Sequence, residues 1–147
     1  MSEAGDTAAG MSAADGGARV RREVLGDAHV DRALANATAF SGVWQEYITE
    51  AAWGRVWSRE GLDRRVRSML TLALLAGLRY EAEFEMHVRA AIGNGVTAAE
   101  ISEVLLHTAV YAGVPASNAA FGAAQRVLAE MGVADALTPY RPVEEKP

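Results

Sequence analysis

The chain has 147 residues, half of them hydrophobic, a net charge of −5, a pI near 5.2 and a mean hydropathy close to zero. That is enough for one globular domain with a real core, and the acidic balance argues against a general nucleic-acid surface. There is no cysteine and one lysine, Lys146, in a Pro-rich tail; a thiol nucleophile is excluded, a Schiff-base lysine in a packed site has no candidate, and chemistry falls to imidazole, carboxylate, guanidinium and hydroxyl groups.

Residues 1–18 are small and polar, lack an apolar period, and read as a disordered extension. Their opening, MSEAGDTAAGMSAADGG, has neither the basic nor the apolar region of a secretory signal, so a cytoplasmic location is expected. Asp27 is placed to cap a short helix through Asn36. A longer helix is expected from Phe40 to Trp53, with Val43, Trp44, Tyr47, Ile48 and Ala51 on one stripe. The stretch from Trp53 to Gly61, with glycine near both ends, reads as a connection.

From Asp63 to Gly77 the chain begins with arginines and becomes apolar nearly all round, as in a helix buried centrally or shared between subunits. Its apolar run, Met69 to Leu78, is about half the roughly 20 residues of a membrane span, so no membrane partner is expected. The next helix, from Arg79 or Tyr80 to about Ile92, carries Phe84, His87, Val88 and Ala91 at helical spacing and stops at Gly93-Asn-Gly95. Thr97-Ala-Ala-Glu100 is a capping box that opens a helix through Ile101, Val104, Leu105, Thr108 and Tyr111 to about Ala112. Gly113 ends it. Pro115 suits the first turn of a last helix, which runs to about Met131 and stops at Gly132.

With no strand pattern, the expected fold is all-α: a compact bundle of about six helices. Residues 19–133 would form the domain, between the 1–18 extension and a 134–147 tail that holds three of the four prolines. Ala116, Ser117, Ala119, Ala120, Gly122, Ala123 and Ala124 crowd the last helix. Such small residues serve self-association and tight packing within one subunit equally well.

Glu83 and His87 are four residues apart on one helix face, as are Glu103 and His107, with Tyr111 following at the same interval. A carboxylate beside an imidazole raises its pKa and orients it, which suits a general acid or base near neutral pH; the competing reading is a structural hydrogen-bonded pair. No His-Glu-x-x-His motif occurs, and nothing in the spacing of the histidines demands a metal. Arg64, Arg65 and Arg67 sit at a helix start, where cations oppose the helix dipole; an anionic ligand would offset that, and solvated inter-helix ion pairs are the alternative. Arg55 and Arg59 precede them, interleaved with Trp53 and Trp57. There is no phosphate loop, dinucleotide fingerprint or Gly-x-Ser-x-Gly.

Several of these segments, taken together, resemble the carboxymuconolactone decarboxylase family. They are Arg21-Arg-Glu-Val-Leu-Gly-Asp-Ala-His-Val-Asp-Arg-Ala33, Trp53-Gly-Arg-Val-Trp57, Gly61-Leu-Asp-Arg-Arg-Val-Arg-Ser68, Thr71-Leu-Ala-Leu-Leu75, His87-Val-Arg-Ala-Ala91 and the stretch from Glu103 to Ala116. The likeness spans roughly residues 20 to 132. It implies an all-helical fold assembled as homotrimers or homohexamers. The superfamily's peroxidase branch uses a Cys-x-x-Cys pair followed four residues later by a histidine. His87 resembles that histidine, with Tyr80 and Glu83 where the cysteines would stand, so thiol peroxidase chemistry is closed to this chain.

The reaction implied by the resemblance is loss of CO2 from a five-membered unsaturated lactone with one carboxylate on its γ-carbon and a second on an acetate arm. The ring C=C and the lactone C=O receive the electrons, so no cofactor and no metal are required. For that reaction, Arg64, Arg65 and Arg67 are expected to bind the carboxylates, with Trp53 and Trp57 as apolar walls. His87 delivers the proton with Glu83 orienting it, and His107 and Tyr111 face the oxyanion or the second carboxylate. The alternatives are a paralogue acting on another small lactone or keto acid, and a non-catalytic helical oligomer that binds a small anion. A cleft holding His87, His107 and an arginine together would speak against the last.

Overall fold

The computed structural model describes residues 10–142. The expected disorder of residues 1–9 and the tail from 143 onward lie outside the described residues. Among the described residues there is no strand, and the chain divides after Gly61 into two compact units. No described helix is long and apolar enough to cross a membrane.

The first unit holds α1 (Ala13–Leu25), α2 (Asp27–Ala35) and α3 (Gly42–Ile48), which runs directly into a π-helical segment, Thr49–Trp57. Helix α1 starts inside the stretch read as an extension, with the Ser12 hydroxyl accepting from the Asp15 N–H at 3.1 Å. The glycines that suggested disorder and a connection encode a close crossing instead. A Cβ on Gly17 would lie 2.1 Å from the Thr49 carbonyl oxygen, and one on Gly54 would lie 2.0 Å from that of Ala13. Glycine at both positions lets α1 and the π segment touch backbone to backbone. The segment from Trp53 is therefore helical as far as Trp57.

Two other expectations change in this unit. Gly26, at φ +87°, stands at the N-cap of α2, and Asp27 is its first helical residue, where its charge still favours the helix dipole. The stripe on α3 does not face inward: Val43, Trp44 and Tyr47 are all more than half exposed, and the two rings stack on each other with centroids 5.9 Å apart.

The second unit holds α4 (Arg64–Leu78), α5 (Glu81–Gly93), α6 (Ala98–Ala112), α7 (Val114–Glu130) and a short α8 (Ala134–Leu137). Helix count exceeds the expected six because α1 and α8 form in segments read as extension and tail. The core is one cluster: Leu72 and Ala76 from α4, Phe84, Val88 and Ala91 from α5, Ile101 and Leu105 from α6, and Ala120, Ala123, Ala124, Val127 and Leu128 from α7. The small residues of α7 thus serve packing within one chain: Ala116, Ser117, Ala120, Ala123 and Ala124 are buried. The Ser117 hydroxyl donates to the Leu105 carbonyl at 2.8 Å and fixes α7 against α6.

Helix α4 continues past Gly77. A Cβ there would meet the Cβ of Ala112 at 3.3 Å, so this glycine serves the α4–α6 approach rather than a stop. The helix ends at Arg79, which adopts the left-handed conformation at φ +62°. Only one side of α4 is used by the core: Leu70, Leu74 and Leu78 are at least half exposed.

Candidate active site

Asp63 caps α4, its carboxylate accepting from the Val66 N–H at 2.9 Å, and this offsets the unfavourable placement of Arg64, Arg65 and Arg67 in the first turns. Arg65 is committed within the unit. It donates to the Gly95 carbonyl and to Glu100 Oε1, pinning the start of α4 to the α5–α6 loop and to the capping box. Arg64 and Arg67 are half-buried.

The capping box forms as expected: the Thr97 hydroxyl accepts from the Glu100 N–H at 3.1 Å, and Glu100 Oε2 accepts from the Thr97 N–H at 2.9 Å. The Thr97 N–H, followed by Arg65, holds the Glu100 carboxyl below the usual glutamate range. A carboxyl with a lowered folded pKa contributes stability above its unfolded value and loses it as pH falls through the folded one. Replacing Glu100 by Gln should therefore lower stability at neutral pH and shrink the gap to wild type as pH falls below the ordinary glutamate range. Denaturant midpoints taken across that range check it.

His87 lies on the inner side of α5 at 8% exposure, beside Phe84, Val88 and Ala91. Glu83, one turn earlier, is exposed. Near the end of the same helix, Asn94 Nδ2 donates to the Oγ of Ser68 at 3.0 Å, and Ser68 is fully buried. This neutral bridge ties α5 to α4, and the sequence reading missed it; a serine among the apolar positions of α4 was its only signal.

His107 is in a different setting. It is exposed on α6, its ring 4.9 Å from that of Tyr111, which is 79% exposed. His107 lines an open groove of about 720 Å³ between α4 and α6. Val66, Met69, Leu70, Ala73, Val104, Leu106 and Val110 make it apolar, and Glu100 and Glu103 are its other polar members. His87, Tyr111 and the three arginines are not in its lining. The structure thus joins His107 to Tyr111, and His87 is not among the residues lining the α4–α6 groove. The i, i+4 spacing that makes the two histidines look alike carries no information about which face is buried.

In the first unit, Trp53 is buried and Trp57 half-buried, with ring centroids 5.1 Å apart and planes tilted by 35°. Among the described residues, no three of His, Asp or Glu come close enough together to hold a metal ion.

Comparison with known proteins bears on what this arrangement does. The profile of the carboxymuconolactone decarboxylase family matches residues 43–126, from α3 through most of α7. The chain is 49% identical over 118 residues to a 4-carboxymuconolactone decarboxylase of Acinetobacter baylyi, covering 80% of this chain and 88% of that one. It is 50% identical over 117 residues to a nitrosuccinic acid decarboxylase of Metarhizium robertsii, covering 80% and 82%. A shorter match, 58% over 40 residues, is to a 4-carboxymuconolactone decarboxylase of Pseudomonas putida. With the all-helical fold, His87 on the inner face of α5 and similarity along most of its length, the chain belongs to the carboxymuconolactone decarboxylase family.

Proposed function

We propose that this decarboxylase acts on 4-carboxymuconolactone and converts it to the enol-lactone of β-ketoadipate without a cofactor. The observation that carries the reading is the 49% identity to a relative of that name over 88% of its length. The C–C bond to the γ-carboxylate breaks and CO2 leaves. The bonding pair moves through the ring C=C to the lactone oxygen, giving a dienolate, and a proton is added at the α-carbon. The substrate holds its own electron sink, which fits a chain without cysteine and without a lysine in its described core.

The protein's tasks are to hold two carboxylates, stabilise the lactone oxygen and deliver one proton. In this reading Arg64 and Arg67 take the carboxylates, while Arg65 anchors the loop beside them. His87 delivers the proton and Glu83 orients it from the exposed side. His107 and Tyr111 serve the oxyanion or the second carboxylate.

A second reading is favoured by the nitrosuccinic acid decarboxylase relative. Nitrosuccinic acid is also a dicarboxylic acid, and its nitro group adjoins one carboxyl, so it too can receive the electrons of the broken bond. Measuring kcat/KM for both compounds separates the readings. The first predicts a preference for the lactone of about tenfold or more, and a preference for nitrosuccinate would replace it.

The reading includes assembly as homotrimers or homohexamers. Leu70, Leu74 and Leu78 on α4, Leu106 and Val110 on α6 and Val114 at the start of α7 are exposed in the single chain, an extent of apolar surface that favours burial by another subunit. Leu74→Glu combined with Val110→Glu should reduce the mass seen by light scattering to that of one chain. An unchanged mass would move the interface elsewhere.

A further inference from the structure

Helix α1 turns Gly17, Val20, Arg21 and Val24 inward. Three of these suit a packed stripe; the fourth is a guanidinium only 4% exposed. Arg21 Nη1 donates to Thr49 Oγ1 at 3.1 Å and Nη2 to Gln45 Oε1 at 2.8 Å. Both acceptors are neutral. The Nε–H is buried without an acceptor. A guanidinium has five N–H donors, so these bonds leave most of its capacity unused.

Buried charges are ordinarily paired, and among the described residues no carboxylate pairs with Arg21. The nearby acids are placed otherwise. Asp27 and Asp31 hold Arg22 at 3.3 and 2.7 Å, and Glu50 holds Arg55 at 2.5 Å. Glu46 is exposed. Burial, then the charge of Arg22, pulls the Arg21 pKa down, as expected of a cation short of a counter-charge.

Arg21 lines an open cavity of about 570 Å³ in the first unit, within the size range of small-ligand sites. Its other walls are mostly apolar, among them Ala18, Val30, Leu34 and Ala37. We infer that this cavity binds a small monocarboxylate with a short hydrocarbon body, its carboxylate paired with Arg21 and its body against Val30 and Leu34. Glu46 and Glu50 also line the cavity, and their charges disfavour a second carboxylate on the ligand. The inferred ligand therefore differs from the dicarboxylate substrate, and the inference stands apart from the reaction proposed above.

His29 gives a built-in reporter. Its pKa is lowered by burial and then by the charges of Arg21 and Arg32. An anion beside Arg21 offsets part of that effect, so the His29 pKa should rise when the cavity fills. The experiment follows the three histidine rings by NMR in the full-length protein, with His29 assigned from a His29→Gln spectrum, during additions of hexanoate, hexan-1-ol and succinate.

Hexanoate should bind saturably and raise the His29 pKa, while hexan-1-ol and succinate bind roughly tenfold more weakly or not at all. Arg21→Gln should remove the hexanoate preference. Should that variant fail to fold, Leu34→Trp, which fills the cavity from a half-exposed wall, decides the matter by abolishing the response. Absence of saturable hexanoate binding, equal binding of hexan-1-ol, or an undiminished response in Leu34→Trp would overturn the inference.

Discussion

Replacing His87 by Gln is expected to lower kcat by about 10²–10⁴-fold, the usual range for losing a general acid or base. The expectation rests on position and chemistry together. His87 is a titratable group on the inner face of α5, and the proposed dienolate needs one proton at carbon. Gln keeps a polar side chain of similar length at this 8% exposed site, so the fold should survive where Ala would leave a hole. The decisive readout is the pH profile. A donor must hold its proton, so wild-type kcat should fall on the alkaline side and the variant should lack that limb. Glu83→Gln, at the exposed residue proposed to orient His87, should cost far less. If His107→Gln loses more activity than His87→Gln, the two histidines exchange roles.

The largest stability effect is expected at Gly54. A methyl group there would sit 2.0 Å from the Ala13 carbonyl oxygen and 2.8 Å from the Ala13 carbonyl carbon. Both are backbone atoms of α1, so no side chain can swing away; the helix must shift as a body. Gly54→Ala should destabilise by about 1–3 kcal/mol or more, the range for overpacking a tight contact. Gly122→Ala is the contrast: its Cβ would meet nothing within 4 Å, and the residue is interior to α7. There the lower entropy cost of ordering alanine should give a gain of about 0.5–1 kcal/mol. Chemical denaturation of both variants checks the pair. Equal effects would mean that the α1 crossing is not held as described.

The second unit was more legible in the sequence than the first, for a physical reason. Helices α5, α6 and α7 carry apolar residues at helical spacing and end in recognisable chemistry: the Thr97–Glu100 box, Gly113 at φ +100° and Pro115 in the first turn of α7. The first unit departs from those rules. Gly16, Gly17 and Gly54 look like breakers when read locally, and only the tertiary crossing shows two of them to be contacts. The stripe of Val43, Trp44 and Tyr47 is regular enough to suggest a buried face, yet a single chain leaves it exposed. Periodicity reports that a face is apolar, not what covers it. The same limit applies to the site. Spacing put Glu83 on one face with His87 and Glu103 with His107, but could not tell the buried His87 from the exposed His107. Arg65 looked like a ligand-binding cation, and its partner Glu100 was recognised only as half of a cap. Arg21 was visible as an arginine at the i, i+4 interval from Gly17 on a stripe with Val20 and Val24, a signal that charge counting alone passes over.

The reaction in D2O tests the central claim most directly. Purified protein, dialysed against a chelator and supplied with 4-carboxymuconolactone alone, should release one CO2 per lactone consumed. NMR of the product should show a single deuteron at the α-carbon of the enol-lactone, and the His87→Gln protein should form that product at about 10²–10⁴-fold lower rate. An unchanged lactone, a requirement for an added cofactor or metal, or undiminished deuterium incorporation by the variant would contradict the account.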